Sequence, residues 1–226
     1  LGDVDGDGDL DAFVGNNAAA DRIWLNDGNG TFSDSGQLLG GSLSSWGARL
    51  EDVDNDGDLD IFVAERSGGN RVYLNDGSGS FTSNGQTLGT QDARAVDMAD
   101  LDGDGDMDAF VSSNGGNQVW LNDGSGVFTL NGQSFAGGTG RDVELGDFNG
   151  DGDIDAVVLT QLGSQVFVND GSGQFTSGGP VFGRGGGFAL ATGDLDGDGD
   201  LDLAIGRLGS NEVWLNNGSG VFTNSG

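Results

Sequence analysis

Residues 3–11 read DVDGDGDLD, with an acid at every second position. Neighbouring carboxylates repel and raise each other's pKa, so the stretch needs a partner that makes the crowding favourable. The spacing D-x-D-x-D-G-x-x-D names one. If the glycine at position 6 turns the chain sharply, side chains at positions 1, 3, 5 and 9 converge and position 7 adds its backbone carbonyl, an oxygen cage for a hard cation. Calcium suits such a cage because it accepts about six to eight oxygens in flexible geometry, whereas magnesium demands an octahedron and keeps its waters. In this loop the expected side-chain ligands are Asp3, Asp5, Asp7 and Asp11, with Gly8 at the turn and Asp9 giving its carbonyl.

The stretch recurs as DVDNDGDLD from Asp52, DLDGDGDMD from Asp100, DFNGDGDID from Asp147 and DLDGDGDLD from Asp194, at spacings of 49, 48, 47 and 47 residues. The expected calcium sites therefore extend to Asp52, Asp54, Asp56, Asp58 and Asp60, then to Asp100, Asp102, Asp104, Asp106 and Asp108. Asp147, Asn149, Asp151, Asp153 and Asp155 form the fourth set, and Asp194, Asp196, Asp198, Asp200 and Asp202 the fifth. Up to five ions are expected, one per repeat, with weaker binding where Asn149 replaces an aspartate. An EF-hand is a poor match, because position 12 of the first loop is Val14 rather than a bidentate glutamate and the flanks read as strands. A nine-residue calcium repeat does not fit a period near 47.

A second signature trails each loop: WLNDGNGTF, YLNDGSGSF, WLNDGSGVF, FVNDGSGQF and WLNNGSGVF, led by Trp24, Tyr73, Trp120, Phe167 and Trp214. Its Asn, Asp and Gly residues tolerate the positive φ of a tight turn. Apolar stretches such as DAFV follow the acidic loops, strands such as NQVWL precede the tight turns, and strands opening on Phe32, Phe81, Phe128, Phe175 or Phe222 follow them. With one more candidate before the next loop, as in ARAVDMAD, each unit holds four short strands. That period predicts an all-β fold, a β-propeller of five four-stranded blades of about 47 residues. The repeats are set at 1–49, 50–97, 98–144, 145–191 and 192–226, the last one truncated. Helical solenoids would need long stretches of 3.6-residue periodicity, and these segments are too short and too rich in glycine. The five leading aromatics recur in every unit, which predicts packing between adjacent sheets.

Composition bounds what such a scaffold can do. The net charge is -29, and all eight cationic residues are arginine, which excludes binding to a phosphate backbone. No apolar run approaches the roughly 18 residues of a spanning helix. The absence of Cys and His removes disulfides, thiolate chemistry, imidazole bases and Cys- or His-ligated metals. The five loops hold 24 of the 37 acids, and Asp outnumbers Glu 33 to 4, so the charge excess sits in the loops rather than over the whole surface. The chain opens on Leu1 rather than Met and carries no signal-peptide pattern, which predicts a processed product or an excerpt. It starts where a strand equivalent to WGAR has already passed and stops at FTNSG before a last strand is finished, so both ends look clipped.

Period, acidic loop, LNDGSGxF turn and strand pattern together resemble the FG-GAP/VCBS repeats of integrin-α-like β-propellers. The Phe-Gly and Gly-Ala-Pro elements of the integrin version are absent, so the chain is more similar to the VCBS-like branch. The resemblance implies a calcium-binding recognition or adhesion module, and commonly seven blades. Five blades are then part of a longer ring, or open strand edges pair with another chain.

The acidic loops join the first two strands of each blade, so those first strands enter at the opposite face, near the axis. Six residues before each loop's first aspartate stand Trp46, Arg94, Arg141 and Phe188. These vary while their surroundings repeat, as a binding face on a repeated scaffold would. They are the candidate ligand-binding residues, for a carbohydrate or protein on the face opposite the calcium loops. The sequons at Asn29 and Asn217 lie inside tight turns and are read as turn residues. Glu51, Glu65, Glu144 and Glu212 offer no paired arrangement for glycoside hydrolysis, so no enzyme is expected. The leading expectation is a secreted or cell-surface adhesion or recognition module stabilised by calcium; the alternative is a structural or assembly unit, a spacer or filament subunit, with calcium its sole small ligand.

Overall fold

The second to fifth acidic loops each connect two neighbouring strands of one sheet. The computed structural model describes residues 1–133, 135, 138–183 and 185–226, and every element among them is a β-strand. A three-stranded sheet is formed by β1 (Ala12–Val14), β2 (Arg22–Asn26) and β3 (Phe32–Asp34). The second sheet holds β4 (Ser45–Glu51), β5 (Asp60–Glu65), β6 (Arg71–Asn75) and β7 (Phe81–Ser83), and the third β8 (Asp92–Ala99), β9 (Asp108–Asn114), β10 (Gln118–Asn122) and β11 (Phe128–Leu130). The fourth has β12 (Gly140–Gly146), β13 (Asp155–Thr160), β14 (Gly163–Asn169) and β15 (Phe175–Ser177). The fifth has β16 (Gly187–Gly193), β17 (Asp202–Arg207), β18 (Glu212–Leu215) and β19 (Thr223–Asn224). All strands pair antiparallel in chain order, as blades of a β-propeller do.

The blades are displaced by one strand from the sequence repeats. The repeat 1–49 ends inside β4, yet β4 pairs with β5 beyond the next acidic loop, because that loop is a connection within a sheet. The cuts after 97, 144 and 191 fall inside β8, β12 and β16 in the same way. The last sheet joins β16, most of which precedes residue 192, to β17, β18 and the two-residue β19, which pairs with β18. The first sheet has three strands among the described residues, so four blades carry the full set.

The second strand of each complete blade shows why adjacent blades adhere. Strands β5 and β13 are buried at every residue, and a strand covered on both faces reads as a nearly continuous apolar run. Alternate side chains serve two interfaces. Ile61 and Val63 pack with Val4, Ile23 and Tyr73, whereas Phe62 and Ala64 pack with Val96, Ala109 and Trp120 of the next blade. Tyr73, Trp120 and Phe167 are buried in these cores, as their periodic placement predicts, and Trp214 is half-buried against Phe148, Leu190 and Leu203.

Polar staples join the same blades. Gln86 donates to the carbonyl of Phe128 at 3.0 Å and accepts from its amide at 2.9 Å; Gln133 does the same to Phe175 at 3.2 and 2.9 Å. Asn75, Asn122, Asn169 and Asn216 each donate at 2.8 Å to the carbonyl at position 2 of the preceding blade's acidic loop, on Val4, Val53, Leu101 and Phe148.

Candidate metal centres and binding face

The loops are built by backbone amides captured on carboxylates. In the first, Asp3 accepts from Gly6 and Gly8 at 2.9 Å each, and Asp100, Asp147 and Asp194 grip the same two glycines of their own turns, whereas Asp52 accepts from Asp56 and Gly57. The position-6 glycines, Gly8, Gly57, Gly105, Gly152 and Gly199, all have φ between 93° and 96°, which a side chain would strain. At position 4 Asn55 takes a φ of 62° where the other loops have glycine, and its amide reaches Asp106 of the next blade at 2.8 Å.

Position 9 anchors the cage. Asp60 is fully buried, and its two oxygens accept from the amides of Val53 at 2.9 Å and Asn75 at 2.8 Å. Asp11, Asp108, Asp155 and Asp202 repeat both bonds. Burial pushes Asp60 and Asp155 up to about 6 and Asp108 to about 7, despite amides that favour the charged form. Burial raises Asp5, Asp54 and Asp102 as well, with neighbouring loop carboxylates adding to the effect.

Positions 1, 3 and 9 converge. In four loops one oxygen of each lies within 4.8 Å of the others, giving the triads Asp3–Asp5–Asp11, Asp52–Asp54–Asp60, Asp100–Asp102–Asp108 and Asp194–Asp196–Asp202. Position 5 stands outside them. Asp7, Asp56, Asp104, Asp151 and Asp198 are exposed, and each accepts from the amide two residues on at 2.9–3.0 Å. Position 7, expected to give its carbonyl, sets its carboxylate against the glycine of the NDG turn, as Asp58 does at Gly77. In the fourth loop Asn149 donates to Asp151 at 2.8 Å, and Asp147 and Asp155 are the acids left at positions 1 and 9. The donors fit a hard cation: each triad is purely carboxylate, and the buried Oδ1 atoms of Asp54 and Asp102 have no hydrogen-bond partner.

The four ligand-binding candidates share a feature invisible in sequence. Register skips one residue between Ser45 and Gly47, Ala93 and Ala95, Gly140 and Asp142, and Gly187 and Ala189. The skipped residues are Trp46, Arg94, Arg141 and Phe188. A β-bulge leaves its extra residue unpaired and re-aims its side chain. All four line one concavity of about 480 Å³, together with Arg49 and Asp142. It lies at the entry ends of β4, β8, β12 and β16, whose other ends lead into the acidic loops. The guanidinium of Arg94 lies 4.3 Å from the Trp46 ring centre and that of Arg141 4.7 Å from the Phe188 ring centre. Sequence reading missed deeper neighbours. Arg49 pairs with Asp97 at 2.7 Å, and Asp97 and Asp142 accept from the amides of Leu145 and Leu190 on the next inner strands, at 2.9 and 2.7 Å.

Among solved structures the chain is similar to a lectin of Agrocybe aegerita, described by its recognition of non-reducing terminal N-acetylglucosamine. The TM-score is 0.65 at 23% identity, covering 98% of this chain and 63% of that one. It is also similar to BBS1N, solved in complex with ARL6DN, with a TM-score of 0.56 at 12% identity over 88% of this chain and 60% of that one. The chain thus spans about three-fifths of the length of these structures. No curated protein sequence matches it. The model of the FG-GAP-like repeat matches residues 3–63, 52–111, 100–158 and 147–205 in overlapping steps of one blade. On that match and on its blades, the chain belongs to the FG-GAP-like repeat family.

Proposed function

We propose that the chain is a calcium-stabilised extracellular recognition module that binds a carbohydrate in the concavity at the entry ends of its inner strands. The observation that carries this reading is the convergence of four bulged residues, from four blades, on one hollow. A side chain freed from strand pairing serves a ligand without disturbing the sheet. Exposed aromatic faces beside charged donors suit a sugar ring, and the related lectin fold supports the ligand class. The acidic loops hold the blades. Calcium at positions 1, 3 and 9 neutralises carboxylates that otherwise repel, and extracellular millimolar calcium keeps weak sites filled. The module binds without catalysis: Glu65 is fully buried and Glu212 is engaged by Arg207 at 2.9 Å.

The test is a glycan array probed with the purified chain in millimolar calcium and again in chelator. Sugar binding lost with calcium supports the reading; a folded, calcium-loaded chain that binds no glycan overturns it.

A further inference from the structure

Half of the chain's eight arginines gather at this one concavity, where Arg49, Arg94 and Arg141 line the wall and Arg66 stacks over Trp46 at 5.4 Å. Most of the acidic charge lies in the loops at the far ends of the same strands. The carboxylates near these arginines are Asp92, Asp97 and Asp142, with Glu51 and Glu144 close enough to Arg49 and Asp97 to interact with their charge. Asp97 meets Arg49 at 2.7 Å, and Asp92 lies 3.2 Å from Arg94 and 4.0 Å from Arg66. Asp142 is spent on backbone, accepting from Val143 at 3.0 Å and Leu190 at 2.7 Å. Arg141 has no such partner. Among the described residues no carboxylate oxygen lies within 4.0 Å of its guanidinium, and its one hydrogen bond goes to the carbonyl of Gly187 at 3.0 Å. The Nε of Arg94 is buried without an acceptor.

Two guanidinium–ring pairs stand here, Arg94 over Trp46 and Arg141 over Phe188, while both aromatic residues remain exposed, at 47% and 52%. The N–H fork of a guanidinium has the geometry that grips a carboxylate. Exposed aromatic residues beside the guanidinium of Arg141, which no described carboxylate engages, match a pyranose that carries an acid. We infer that the concavity takes an acidic saccharide, a sugar bearing a carboxylate, with Arg141 and Arg94 on the acid and Trp46 and Phe188 against the ring. This rests on the carbohydrate reading above and narrows it to the uronate or sialate class.

The test is calorimetric titration of the full chain, at fixed free calcium, with a glucuronate-containing hexasaccharide and with the same hexasaccharide after reduction of its carboxylates to alcohols. We expect the acidic form to bind about tenfold or more tightly, the usual worth of a charge-assisted hydrogen bond. R141Q should bring the acidic form down to the affinity of the reduced one, and W46A should weaken both. If R141Q melts below the wild type in calcium, R94Q reads the same charge at the neighbouring bulge. Equal binding of the two forms, unmoved by either arginine variant, overturns the acidic class and leaves sugar recognition standing. Binding of a glutamate-rich hexapeptide with neither saccharide bound overturns both readings, and silence from all three probes does the same.

Discussion

The side-chain amide of Asn75, at the turn of one blade, donates to the carbonyl oxygen of Val4, inside the acidic loop of the blade before it, at 2.8 Å. The backbone amide of the same Asn75 is held by Asp60, which also holds Val53 in its own loop. One acidic loop is thereby tied to the next through Asp60 and Asn75, and the tie repeats at Asn122, Asn169 and Asn216. Loop order and blade docking are one event.

Asn75→Ala removes donors to Val4 and Leu59, two buried or half-buried carbonyls. We expect a loss of about 2 kcal/mol, since each missing bond costs about 1 kcal/mol and an orphaned acceptor more. Urea unfolding checks it, and an unchanged midpoint would contradict the tie.

The triads distinguish aspartates that look alike in sequence. Asp102→Ala should reduce the count of bound calcium ions by one in an equilibrium titration, because Asp102 belongs to a triad; Asp104→Ala, at the exposed position 5, should leave the count intact and weaken affinity at most. Equal loss from both variants would restore position 5 to the cage.

Chelation should lower the melting temperature by many degrees, because an ion bound to the folded state alone adds RT ln(1 + [L]/Kd) per site. The fourth loop, with Asn149, should release its ion at the lowest chelator concentration. Differential scanning calorimetry across a calcium series reads both effects.

Glu65 gives a pH signature. Burial first, and the nearby Asp21 carboxylate second, raise its pKa from 4.5 to about 7, with Arg71 and Ser45 opposing. A carboxyl whose folded pKa is raised contributes stability that is fully present below its unfolded pKa and lost as pH climbs through the folded value. The window here runs from about pH 4.5 to 7. Glu65→Gln should therefore gain on the wild type between pH 5 and pH 8, as read by urea midpoints in saturating calcium. A constant difference would show that Glu65 ionises freely.

Much of this was legible from spacing alone. Five acidic loops in step with five NDG-type turns fix the blades, and the -6 position picks out four residues that share one hollow. What spacing left open is hydrogen-bonded detail. Positions 1, 3, 5 and 9 are all aspartate, and nothing in the letters says that Asp104 turns outward to cap its own loop while Asp108 goes inward to two amides. The repeat boundaries slipped by one strand for a similar reason: a loop within a sheet and a link between sheets read alike until pairing is known. Asn75 was read as a turn residue, and its reach to Val4 spans 71 positions of sequence.

The bulges have an evolutionary consequence. Because Trp46, Arg94, Arg141 and Phe188 sit outside the strand register, each can be exchanged without moving a partner on the next strand. A blade thus contributes one freely interchangeable letter to the mouth of the molecule. Four such blades spell a four-letter word whose meaning changes by single substitutions, while the text that folds the protein stays the same.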